Sequence, residues 1–90
     1  MQYMVIEQFK DAPAIYQRLR DRGRLVPEGL HYVDSWISQD LTQCFQLMET
    51  ESRELFDEWI ANWSDLMDFE VVPTITSNQA KGIALRSEMS

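Results

Sequence analysis

The chain has 90 residues, 44% of them hydrophobic, and a formal net charge of −7. A single domain of this size buries only about 60–65% of its unfolded surface, so its core is thin and a second copy of the chain is a ready source of further burial. Fifteen carboxylates against eight Lys and Arg argue against nucleic acid, whose phosphates are held by basic side chains.

The first run, Tyr3 to Phe9, is rich in β-formers and reads as strand one. Its opening residues lack the basic segment of a signal peptide and reach an acid at Glu7. Asp11 then caps a helix over 12–22, with Pro13 in the first turn and Ala12, Ile15 and Leu19 on one apolar stripe. Gly23 suits the left-handed position that ends it. A loop over 24–29, punctuated by Pro27 and Gly29, leads to strand two at 30–38. A short polar connection, 39–42, makes strand two a hairpin with strand three at 43–49.

The second helix carries the clearest periodicity. Ser52 is a candidate cap, and Leu55, Phe56, Trp59, Ile60, Trp63, Leu66 and Met67 recur at helical spacing for three turns. Strand four spans 69–75, and Pro73, which cannot donate to a ladder on both sides, makes it an edge strand. The order β-α-β-β-α-β predicts an α+β, ferredoxin-like fold over 1–76: a four-stranded sheet, strands one and three central, both helices on one face. Residues 77–90 form a tail, either a short helix, an arm on a partner or a mobile end.

Two helices cover one sheet face only, so the other should be polar unless it is buried by something else. With a hairpin loop at Gln39–Leu41, Tyr32, Asp34 and Trp36 lie opposite Met48, Gln46 and Cys44. Placing that set beside the helices would bury Asp34 unpaired, at a cost of several kcal/mol, so the set is assigned to the uncovered face. Met4, Ile6, Phe45 and Leu47 then point to the helices, and Tyr3, Val5, Glu7 and Phe9 away from them. The uncovered face is thus apolar with embedded polar groups, the composition of an interaction surface. Two such sheets packed face to face give a homodimer with an open-face cleft. Glu7, Tyr32, Asp34, Trp36, Gln46 and Met48 are its candidate ligand-binding residues.

The runs Met4-Val5-Ile6-Glu7, Arg22-Gly23-Arg24, Pro27-Glu28-Gly29-Leu30, Tyr32-Val33-Asp34-Ser35-Trp36, Cys44-Phe45-Gln46-Leu47-Met48-Glu49 and Asp68-Phe69-Glu70-Val71-Val72-Pro73 resemble a domain-of-unknown-function family of short uncharacterised bacterial proteins. The resemblance covers about residues 3–76. It implies a fold similar to the dimeric α/β barrels, ferredoxin-like domains that pair through their sheets. That wider group includes cofactor-independent monooxygenases, isomerases, haem-handling proteins and members without known activity. It carries no catalytic residue over to this chain.

Among individual residues, Glu7 in a cleft would have the raised pKa that a general acid or base needs. The alternative is a polar pair that fixes dimer register. His31 reads as a solvated surface residue at an edge strand, and Cys44 as a buried apolar-like thiol with no base beside it. Arg18, Arg20, Arg22 and Arg24 form a basic run that could bind an anion, but they face an acidic second helix (Glu54, Asp57, Glu58), so pairing between helices is the simpler role. A lone Cys and a lone His give neither a disulfide nor a common zinc set, and no metal or cofactor is expected. No apolar run reaches 18 residues, so no membrane partner is expected either. The expected location is the cytoplasm. The function classes left open are a small-molecule binder, including a cofactor-free enzyme, and a structural or regulatory dimer without activity.

Overall fold

The computed structural model describes residues 1–89, with side chains described to residue 86. In chain order the elements are β1 (Gln2–Phe9), α1 (Ala12–Arg22), β2 (His31–Ile37), β3 (Gln43–Glu49), α2 (Leu55–Ala61), β4 (Met67–Thr74) and α3 (Ser77–Met89). All neighbouring strands are antiparallel, in the order β2-β3-β1-β4. This is the ferredoxin-like α+β arrangement, with β1 and β3 central and Pro73 on an edge strand. The tail read as 77–90 is helical as far as Met89, and Ser90 lies outside the described residues.

Local chemistry explains most of the boundaries. The Asp11 side chain accepts from the Ala14 amide at 3.1 Å and starts α1. Gly23, at φ 70°, closes the helix through its N–H to the Leu19 carbonyl. The second helical stripe is shorter as a regular helix than its periodicity suggests. Polar Asn62, Ser64 and Asp65 follow Ala61, and the chain continues in turns whose amides still bond three or four residues back, as in Trp63 to Ile60 and Met67 to Trp63. Trp59, Trp63 and Met67 therefore stay on one side although only the first belongs to α2. Ser52 is not the helix cap. Its amide donates to the Thr50 hydroxyl, and its carbonyl accepts from Leu55.

The core reverses the expected faces of the sheet. Tyr3, Val5, Glu7, Cys44, Gln46 and Met48 are buried on the helix side, against Ile15, Phe56, Trp59, Trp63 and Met67. Met4, Ile6, Phe45 and Leu47 are half-buried on the side that no helix covers. Both faces of the central strands are apolar, so alternation fixed the period and left its sign open. The polar groups decided the assignment wrongly, because Glu7 and Gln46 find partners and a cavity beneath the helices.

The hairpin departs from expectation in one place. Tyr32 lies opposite Met48 as expected, but an irregularity between Tyr32 and Asp34 shifts the rest, so Asp34 opposes Leu47 and Trp36 opposes Phe45. The extra residue, Val33, sends Tyr32 to the helix side and Asp34 and Trp36 to the uncovered side. Asp34 stays exposed, which satisfies the same constraint that the expected register was chosen to satisfy.

Trp59 is the centre of the core, 2% exposed and edge-on to Phe56 and Phe69 at 6.2 and 5.4 Å between centroids. Trp59→Ala is expected to cost about 3–5 kcal/mol, much of the stability of a domain this small. Chemical denaturation checks it, and a loss below about 1 kcal/mol would mean that the core is centred elsewhere.

Candidate functional site

A cavity of about 250 Å³ lies between the helix side of the sheet and α1, α2 and the turns after α2. Each of its walls comes from a different element. The sheet supplies Glu7, Ser35, Ile37, Cys44 and Gln46; α1 supplies Ile15, Tyr16 and Leu19; Trp59 and Trp63 close the far side. No helix covers β2, so the cavity opens there, and the exposed residues Tyr16 and Ile37 stand at its mouth.

The loop after α1 reaches into this mouth. Gly23 and Leu25 both have positive φ, 70° and 59°, and turn the chain so that the Arg24 carbonyl faces the core. Both buried indoles donate to that one oxygen, Trp59 Nε1 at 3.0 Å and Trp63 Nε1 at 2.9 Å. The Arg24 side chain projects over the Tyr32 ring, 3.7 Å from its centroid, and donates to Gln46 Oε1 at 3.3 Å. Gln46 Nε2 in turn donates to Met48 Sδ at 2.9 Å.

Glu7 is 5% exposed and sits across the strand pair from Cys44. Burial raises its carboxyl from 4.5 to about 7, although the Cys44 thiol and the Arg24 guanidinium both favour the charged form. The same burial, with the Glu7 charge beside it, pushes the Cys44 thiol up to about 12. Cys44 is therefore a thiol rather than a nucleophile at neutral pH. Burial also raises the Tyr16 phenol, with Cys44 and Glu7 adding to it. The cavity thus holds one carboxyl that titrates near neutrality, beside an amide, a guanidinium and aromatic walls. That set can hold a small, mostly apolar molecule and exchange a proton with it.

The six candidate residues named from the sequence divide between the two faces. Glu7 and Gln46 line the cavity, and Tyr32 stacks on Arg24 beside its mouth. Met48 lies beneath Gln46 in the core, fully buried. Asp34 and Trp36 are on the opposite, uncovered face, so they do not join the others in one cleft. Sequence reasoning named Arg24 only as one of a basic run and did not join it to the other candidates, and it missed Tyr16 and the wall formed by Trp59 and Trp63. The expected pairing of the basic run with α2 is also corrected. Arg18 makes a two-pronged contact with Asp65, at 2.8 and 2.7 Å, and donates to the Asn62 carbonyl, all in the turns after α2. His31 is exposed, and among the described residues no group of His, Cys, Asp and Glu could hold a metal ion. Among the described residues, no helix is long and apolar enough to cross a membrane.

Fold and cavity together define a small ferredoxin-like α+β protein with a half-enclosed pocket beneath its helices. Residues 1–87 match the family described as Domain of unknown function (DUF3303), and the chain belongs to that family. Among curated proteins, none matches the chain.

Because the folded-state pKa of Glu7 is raised, the native state holds its proton longer than the unfolded chain does. Its contribution to stability is complete below pH 4.5, falls as pH rises, and is lost above about 7. Glu7→Gln removes this slope. The stability of the variant relative to the parent should rise by on the order of 3 kcal/mol between pH 4.5 and 7.5. Denaturant titrations at the two pH values measure it, and a constant difference would show that Glu7 ionises normally.

Proposed function

We propose that this protein binds a small molecule in the cavity beneath its helices, with Glu7 as the proton-exchanging or hydrogen-bonding group, and that it works as a homodimer. The observation that carries the reading is a carboxyl raised to about 7 inside a cavity walled by Trp59 and Trp63. A core built only for stability gains nothing from an acid on a central strand, where burial of the charge is costly. The chemistry favoured is proton transfer to or from a weakly acidic ligand, by a binding protein or a cofactor-free enzyme. Arg24 and Gln46 would orient the polar end of the ligand, and the indoles would stack on its apolar body.

Pairing is supported by the uncovered sheet face, where Met4, Ile6, Trp36, Phe45, Leu47 and Val72 form a continuous apolar area. A face of that kind on a soluble protein marks an interface. A free thiol at Cys44 suits a reducing compartment, and we place the protein in the cytoplasm.

A second reading has one observation in its favour. Gln46 already accepts from Arg24 and Cys44 and donates to Met48, as in a polar network that fixes a structural or regulatory dimer.

A thermal-shift screen of small aromatic alcohols and ketones separates the two readings. A compound at about 100 times its Kd stabilises the native state by about 2.7 kcal/mol, which raises Tm by well over 5 °C in a domain of this size. Affinity should change across a midpoint near pH 7, and Glu7→Gln should abolish that dependence while keeping the fold. The Trp36→Phe variant retains only the two cavity indoles, whose fluorescence should respond to the same compounds. A screen without a single shift would favour the structural reading.

A further inference from the structure

Among the described residues, two elements each carry several exposed apolar side chains. The first is α3. Residues 77–86 are all exposed, including Ile83 and Leu85 at 48% each. The helix stands away from the body: the radius of gyration is 15.5 Å, against about 12 Å for a compact chain of this length. A helix of 13 residues with Gly82 in its middle is marginal in water without a surface to pack on. Ile83 and Leu85 are two residues apart, roughly 200° around the axis, so two sides of the helix need cover.

The second element is the β2–β3 hairpin, an edge with Val33, Trp36, Ile37 and Leu41 all exposed. Its tip is held in shape by Asp40, which accepts from the Thr42 and Ser38 hydroxyls at 2.6 and 2.7 Å and is kept ionised by them. The hairpin residues 31–49 include Asp34, Asp40 and Glu49 and no Lys or Arg, whereas α3 carries Lys81 and Arg86 against one acid, Glu88, for a net charge of opposite sign. The two elements are complementary in both apolar character and charge. They leave from opposite edges of the sheet, α3 after β4 and the hairpin at β2.

We infer that α3 is an exchanged arm, which packs in a second copy of the chain against the β2–β3 hairpin, at the mouth of that copy's cavity. The inference rests on the homodimer reading above and extends it. Ile37 belongs both to the exposed hairpin and to the cavity lining, so an arm seated there borders the partner's pocket. The open side of each cavity is then closed by the other chain.

The test is an NMR sample of the full chain in which isotope-labelled and unlabelled molecules are mixed, recorded with filters that pass only contacts between unlike chains. Contacts from the Ile83 methyls to the Ile37 side chain of the other chain are expected. Ile83→Asp in the full chain should weaken the dimer by at least about tenfold in sedimentation equilibrium, with the indole N–H resonances of Trp59 and Trp63 unchanged. A dimeric mass with those contacts missing, or found only within one chain, would overturn the arm and leave the homodimer standing. A monomeric mass for the unaltered chain at tens of micromolar would overturn both.

Discussion

The carbonyl oxygen of Arg24 holds the site together, because two buried indoles donate to it from the other side of the core. An indole N–H left unpaired in such a place costs about 1–3 kcal/mol, so the loop after α1 is drawn in and held against the turns after α2. Everything at the cavity mouth follows from that restraint. From that fixed backbone, the Arg24 side chain extends over Tyr32 and toward Gln46. Its charge then reaches Glu7, whose pKa it lowers against the larger effect of burial. The aromatic stripe that builds the core thus also places the one cation of the pocket.

Glu7 shows how a small fold accommodates a buried acid. Its neighbours on β1 and β3 are apolar or weakly polar, and burial is the largest influence on its carboxyl. Arg24 and the Cys44 thiol offset part of that cost, and they leave the group near neutrality, between a stable anion and a permanently neutral acid. In the proposed function that balance is the useful property, since a group poised near the working pH gives and takes a proton with least penalty.

The elements were largely legible in the sequence because each rests on local chemistry. Asp11, Pro13 and Gly23 bracket α1, the aromatic spacing marks the second helical stripe, and Pro73 marks an edge. The side of the sheet was not legible. Tyr3 and Val5 on one face compete with Met4 and Ile6 on the other, so only the polar residues broke the tie. Their shared partner, Arg24, comes from a loop 17 residues after Glu7 and 22 before Gln46. The bulge at Val33 was hidden for a similar reason, since one inserted residue leaves the composition of strand and turn unchanged while setting Asp34 and Trp36, which keep the uncovered face expected of them, opposite to Tyr32, Gln46 and Met48. Glu7 and Gln46 were recognisable as unusual from their types and positions. Trp59 and Trp63 were read as core, and they are core, and the cavity they wall off is a property of packing that spacing does not encode.

The pH at which Glu7 ionises in the folded protein tests the account most directly. The carboxyl carbon of Glu7, followed by NMR in the full chain, should titrate with a midpoint near 7. In Arg24→Gln the midpoint should move higher still, because the cation that favours the anion is gone. A midpoint near 4.5, insensitive to Arg24, would mean that Glu7 is solvated and that the cavity beneath the helices is not the site.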